Sequence, residues 1–123
     1  MDLTAVILAA GKGTRMKSNI PKVLHEIAGM PILGHVLNLT NDLGINSPTV
    51  VIGHEAQSVK SYVKIKQKDA ICIIQEKQLG TGNALECAKD TLSKYDGNLL
   101  ILYGDVPFIE KKTVLAMLEQ LRL

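Results

Sequence analysis

No stretch of this 123-residue chain is apolar for long enough to cross a bilayer, which takes about 20 residues in a helix. The opening Met1-Asp2-Leu3-Thr4 lacks the basic segment that begins a secretory signal, so a cytoplasmic address with no membrane partner is expected. Charge of one sign is scarce as well: 14 basic and 12 acidic side chains leave +2, which argues against a nucleic-acid partner. Lys60, Lys64, Lys66 and Lys68 are then expected on a solvated helix face. Cysteine is limited to Cys72 and Cys87, with no Cys-x-x-Cys and no histidine at zinc-ligand spacing, so both are expected to be reduced core residues. His25, His35 and His54 are scattered and receive no role, since an isolated histidine at an element's end is ordinarily satisfied locally. Repeats and low-complexity linkers are absent. With 46% apolar residues, the chain has enough for one modest core, hence a single globular domain or part of one.

Two familiar glycine loops are missing too. The Walker loop sets four residues between its glycines before Gly-Lys-Ser/Thr, and Gly11-Lys12-Gly13-Thr14 has no such spacing. The dinucleotide fingerprint needs a third glycine where Met16 stands, and Gly53-His54 supplies no acid after the second strand to hold a ribose. What is present is Leu8-Ala9-Ala10-Gly11-Lys12-Gly13-Thr14-Arg15-Met16, a basic, glycine-bearing loop behind the apolar run Ala5-Val6-Ile7-Leu8. Glycines let the backbone turn sharply and aim several N–H groups at an anion, and Lys12 and Arg15 add charge, so the loop suits phosphate.

Apolar runs with β-branched members predict buried strands over about Thr4 to Ala9 and Thr49 to Gly53, and a third and fourth strand over Asp69 to Gln75 and Asn98 to Tyr103. Between them, helical periodicity places Ile32, Leu33, Val36, Leu37, Leu39 and Leu43 on one face, and Ala56, Val59, Tyr62 and Val63 on another. A third helix, capped by Thr81, would turn Ala84, Leu85, Ala88 and Leu92 inward, and a fourth, Glu110 to Leu121, would do so with Val114, Leu115, Met117, Leu118 and Leu121. Pro21 should keep Lys22 on a short, rigid, non-helical segment. Strands alternating with helices indicate an α/β fold with a doubly wound, mainly parallel, Rossmann-like sheet. In the order 3-2-1-4 the winding reverses between the first and fourth strands, which brings Leu8, Ala9, Ala10 and Gly11 beside Tyr103, Gly104 and Asp105.

A carboxylate at the end of a buried strand, opposite a phosphate loop, would repel the ligand that the loop attracts unless a hard cation lies between them. Asp105 is therefore the candidate ligand for Mg²⁺, the expected cofactor. Gln75 offers a donor and an acceptor to the edge of a pyrimidine, and Gly80 leaves room for its ring.

Four stretches carry a resemblance: Leu-Ala-Ala-Gly-Lys-Gly-Thr-Arg-Met at 8–16, Pro-Lys-Val-Leu-His at 21–25, Gln-Leu-Gly-Thr-Gly at 78–82 and Tyr-Gly-Asp-Val-Pro at 103–107. In this order and spacing they resemble the sugar-phosphate nucleotidyltransferases, most closely the N-terminal part of the uridylyltransferase domain of bacterial bifunctional N-acetylglucosamine-1-phosphate uridylyltransferases/glucosamine-1-phosphate acetyltransferases. The resemblance implies that Leu8, Ala9, Ala10 and Gly11 contact the nucleotide, and that Arg15 and Lys22 are catalytic, acting on the phosphates. It further implies that Gln75, Gly80 and Thr81 hold uracil, that Tyr103, Gly104 and Asp105 line the site, and that Asp105 binds Mg²⁺. The implied activity is uridylyl transfer from UTP to a sugar 1-phosphate, giving UDP-N-acetylglucosamine and pyrophosphate for cell-wall precursors. The family's sugar-binding residues, its second metal ligand and its β-helix acetyltransferase domain correspond to nothing in residues 1–123. The alternatives are a nucleotide-binding remnant without catalysis and a nucleotidyltransferase for another sugar phosphate. An open sheet edge would also favour self-association or a partner chain supplying a missing half.

Overall fold

The computed structural model describes residues 3–11, 20–77, 80–93, 95 and 97–121. In chain order the elements are β1 (Leu3–Leu8), a 3₁₀ turn (Lys22–Leu24), β2 (Glu26–Ile27), β3 (Met30–Pro31), α1 (Ile32–Asp42), β4 (Thr49–Ile52), α2 (Ala56–Lys66), β5 (Ile71–Ile74), α3 (Thr81–Cys87), α4 (Lys89–Leu92), β6 (Asn98–Tyr103) and α5 (Lys111–Leu121). The main sheet is 4-stranded in the order β5-β4-β1-β6. All three of its pairings are parallel, the expected 3-2-1-4 arrangement. Register runs unbroken from Leu3 opposite Asn98 to Leu8 opposite Tyr103, and on the other side Leu8 lies opposite Val51. The strands therefore end together along one edge of the sheet. Among the described residues no helix is long and apolar enough to cross a membrane.

Alternation along β1 feeds two cores. Ile7 and Ala9 point to the face covered by α1, α2 and α5, where Leu33, Leu37, Val59, Val63, Val114 and Leu118 meet Val50, Ile52 and Leu102. Val6, Leu8 and Ala10 point to the other face, where Val51 packs on Ala84 and Ala88 with Leu85 and Leu92 alongside. The second cover is thinner. It stops short of β6, whose Leu99, Ile101 and Tyr103 remain 41–48% exposed.

Several expectations need correction. Lys22 begins a 3₁₀ turn, not a non-helical segment, because Leu24 N–H donates to Pro21 O and His25 N–H to Lys22 O; the missing proline donor lies ahead of these bonds. The hairpin of β2 and β3 had no sequence signal: strands this short show no alternation, and Ala28 occupies a position (φ 52°) that turn preferences would give to Asn, Asp or Gly. The helix after β5 is broken at Ala88 into α3 and α4, and its N-cap is Gly80 (φ 96°) with Thr81 as the first helical residue. In α5, Val114 and Leu118 of the proposed face are buried, whereas Leu115 and Met117 are exposed, and the side chain of Leu121 lies outside those described. Lys64 is not simply solvated, since its ammonium donates to the carbonyls of Ala70 and Lys68 and closes the end of α2. Cys72 and Cys87 are free thiols as expected, but half-buried at the margin of the cores rather than within them.

Burial pushes the Cys72 thiol above its ordinary value, against the pull of Lys64 and Lys60. Its neutral form is thus favoured by folding. The associated stability is fully present below the unfolded thiol's pKa and is lost as pH rises through the folded one. Cys72→Ser should flatten the alkaline decline in unfolding midpoint, measured between neutral pH and pH 10.5. Truncating Leu37, 1% exposed, to Ala should cost about 2–5 kcal/mol in a urea titration, whereas Leu115→Ala on the outer face should cost less than about 0.5 kcal/mol.

Candidate active site

The carboxyl edge of the sheet collects the loops after β1, β4, β5 and β6. Ala9 N–H donates to Val51 O at 2.8 Å and His54 N–H to Ala10 O at 3.3 Å, so the loop after β1 continues as a laced extension of the sheet. Gln75 N–H donates to Ile52 O at 2.7 Å in the same manner. On the opposite flank Gly104 N–H donates to Leu8 O at 2.9 Å. Here a side chain would be crowded: a Cβ on Gly104 would sit 3.0 Å from Ala9 Cβ and 3.3 Å from both Ala9 Cα and Leu8 O, so Ala9 would have to give by a few tenths of an ångström. The glycine lets the end of β6 press against the backbone just after β1, which sets Asp105 at the winding reversal between β1 and β6.

Lys22 reaches the same place from the 3₁₀ turn. Its Nζ donates to Asp105 Oδ2 at 3.2 Å, with both side chains about 40% exposed (42% and 39%). His25 Nε2, 3.0 Å from Ile20 O, ties the front of this segment, and Val23 inserts into the larger core. Lys22 is thus carried on an anchored turn. A half-exposed pair of this kind adds little to stability, and either partner remains open to solvent and to a ligand.

Ala9 and Ala10 are buried and Leu8 is half-buried, so what they offer outward is backbone, and Gly11 after them is exposed. Gln75 is only 3% exposed, and its amide nitrogen donates to Asn83 Oδ1 at 2.7 Å and to Gly80 O at 3.3 Å. The glutamine therefore braces the loop that leads into α3, and Gly80 itself is exposed at φ 96°, a conformation suited to glycine. Tyr103 stands 48% exposed at the end of β6. Of the expected site residues, the structure gathers Leu8, Ala9, Ala10, Gly11, Lys22, Gln75, Gly80, Thr81, Tyr103, Gly104 and Asp105 along one edge. Arg15 lies outside the described residues. Among those described, no group of three or more His, Cys, Asp or Glu side chains forms a metal cluster.

One contact at this edge had no sequence signal. His35 on α1 lies against Phe108, just past Asp105, with ring centroids 5.0 Å apart and planes at 59°. Neither an exposed phenylalanine nor a lone histidine announces such a pair.

A parallel sheet with a glycine, a lysine and a carboxylate at its switch point has the layout in which open α/β folds bind ligands. The chain belongs to the MobA-like NTP transferase domain family, which matches residues 5–123. It is 46% identical over 121 residues to the bifunctional protein GlmU of Geotalea uraniireducens strain Rf4, an alignment covering 98% of this chain and 26% of that protein. The chain thus spans about a quarter of the length of the curated relatives it matches, and the likeness is to part of them. Among solved structures, a nucleotidyl transferase from Methanothermobacter superposes with a TM-score of 0.77 at 21% identity, covering 95% of this chain and 56% of that one. HddC from Yersinia pseudotuberculosis, complexed with GMP-PN, gives 0.75 at 26% identity, covering 94% and 53%.

Replacing Gly104 with Val should force β6 away from Ala9. We expect a lower unfolding midpoint and an altered Leu8–Tyr103 pairing, read as faster amide exchange at Gly104 than in a Tyr103→Phe control.

Proposed function

We propose that the chain binds UTP and carries the nucleotide-binding part of a uridylyltransferase that acts on N-acetylglucosamine 1-phosphate. The observation that supports this most is the meeting of Lys22 and Asp105 at the sheet's switch point, in a chain 46% identical to a GlmU protein. In the reaction, an oxygen of the sugar phosphate attacks the α-phosphorus of UTP in line. The bond from that phosphorus to the bridging oxygen of the β-phosphate breaks, and pyrophosphate leaves with the electron pair.

The protein's part is position and charge. Backbone at Leu8, Ala9, Ala10 and Gly11 would follow the nucleotide, and Gly80 and Thr81, on the loop braced by Gln75, would receive uracil. Tyr103 and Gly104 close the side formed by β6. Lys22, together with Arg15, would neutralise negative charge as it builds on the transferring phosphate and on pyrophosphate. Asp105 fits Mg²⁺ as a protein ligand, because that ion keeps several waters and completes its shell with substrate phosphates, so that one carboxylate suffices. When bound, Mg²⁺ would screen the triphosphate charge and polarise its phosphorus–oxygen bonds. On this reading the protein works in the cytoplasm, in the supply of cell-wall precursors.

A second reading has its own support. The exposure of Leu99, Ile101 and Tyr103 along β6 fits a nucleotide-binding unit without catalysis of its own, which a complementary chain or a second copy would cover. Calorimetry with UTP and Mg²⁺, run beside a pyrophosphate-release assay with N-acetylglucosamine 1-phosphate, separates the readings. Binding with release supports transfer, binding alone supports the unit without catalysis, and preference for another nucleotide removes the uridylyl assignment. In a full-length relative, Ala at the position matching Arg15 should lower turnover at least about 100-fold with little change in UTP affinity, if its charge acts mainly on the transition state.

A further inference from the structure

We infer that His35, acting through Phe108, is a positioning residue that holds the loop 104–110 so that Asp105 faces Lys22. The inference rests on the nucleotidyl-transfer reading for its purpose. Its geometry stands separately.

The loop is anchored at its ends, by Gly104 N–H on Leu8 O and by Ile109 against the larger core, and its middle has fewer ties. Val106 N–H donates to Tyr103 O at 3.2 Å, Pro107 has no N–H, and the next described backbone bonds are those accepted by Glu110 O as α5 begins. Between these points Phe108 is 62% exposed, yet its ring is not left to water on every side. It meets the imidazole of His35 at 5.0 Å and 59°, an inclined arrangement in which ring edges and faces attract. His35 is itself fixed, because Nε2 lies 2.7 Å from Ile27 O and carries the proton given to that carbonyl. Ile27 belongs to β2, which follows directly from the turn bearing Lys22.

The segment 20–31 and the loop 104–110 are therefore clasped at two places: Lys22 to Asp105, and Ile27 through His35 to Phe108. The first clasp is polar and half-exposed, and on the nucleotidyl-transfer reading it is the one that a ligand would open. The second touches no reacting group, and it limits how far Asp105 can drift once Lys22 turns to phosphate. Holding the carboxylate in place beforehand spares ordering entropy when the nucleotide and its cation bind.

The test compares the chain with His35→Ala, Phe108→Ala, the double variant, Phe108→Tyr and His35→Gln, which keeps a donor for Ile27 O but removes the ring. UTP affinity is measured with Mg²⁺ and again in EDTA, and exchange of the Val106 amide is followed without ligand. Either Ala variant, and His35→Gln, should weaken UTP binding with Mg²⁺ by about 3- to 10-fold, the range expected for one aromatic contact, and leave binding in EDTA unchanged. The double variant should be no worse than the singles, Phe108→Tyr should restore affinity, and Val106 should exchange faster wherever the ring pair is lost. Equal loss in both media, additive loss, or a His35→Gln variant indistinguishable from the parent would overturn the inference. Should the parent bind no UTP at all, the nucleotide reading falls, and the exchange experiment alone decides the clasp: an unchanged Val106 rate overturns it.

Discussion

The parallel pairing of β1 with β6 is the constraint on which the rest of the structure depends. It brings the end of one apolar strand to within a hydrogen bond of the other, with Gly104 N–H on Leu8 O, and it leaves little room for a side chain at the junction. Because β1 pairs with β4 on its other side, it carries both halves of the winding and is buried through Ala5, Val6 and Ile7. The chain must leave its two neighbours in opposite directions, and the crevice at the switch point follows from that geometry. Asp105 and the glycine loop are neighbours as a consequence of topology. No local feature of either segment would bring them together.

The two faces of the sheet are covered unequally. On one, α1, α2 and α5 bury long aliphatic side chains against Val50, Ile52 and Leu102; on the other, a broken helix presents mainly alanine to Val6 and Val51. Small side chains allow α3 to approach closely, and the loop ahead of it is then drawn against the sheet edge, where Gln75 ties it through Asn83 and Gly80. The same thin cover leaves the outer strand β6 with Leu99 and Ile101 exposed. A face of that composition is stable in water only at some cost.

The strands were legible because a strand buried on both faces must be apolar almost throughout, and Ala5-Val6-Ile7 or Thr49-Val50-Val51-Ile52 permits little else. Strand order followed from the rule that crossovers are right-handed and that ligands gather where the winding reverses. What escaped detection lies below the length at which periodicity speaks. The hairpin at Glu26–Ile27 and Met30–Pro31 is fixed by its turn and by α1 behind it, and the end of α2 by a lysine reaching three-dimensional neighbours. Gln75 was legible as a polar residue at a strand end, but not as a buried brace, since its partners are chosen by the path of the loop. The placing of Lys22 on Asp105 was likewise beyond local reading: it joins residues 83 positions apart.

On the proposed function, the exposure of the Lys22–Asp105 pair would suit the edge to a polyanion. Neither side chain is buried, so neither pays the desolvation that would make its partner indispensable, and the fold would lose little if the pair separated. A phosphate arriving at Lys22 and a hard cation arriving at Asp105 would replace one weak internal contact with two stronger external ones. A buried pair could not make that exchange, because breaking it would strand a charge in the interior. The site therefore needs its charged groups held in place by backbone and by apolar anchors such as Val23 while the charges themselves stay wet. The 3₁₀ turn, the glycine junction and the ring pair at His35 together meet that requirement, each acting on the main chain and none on the charges directly.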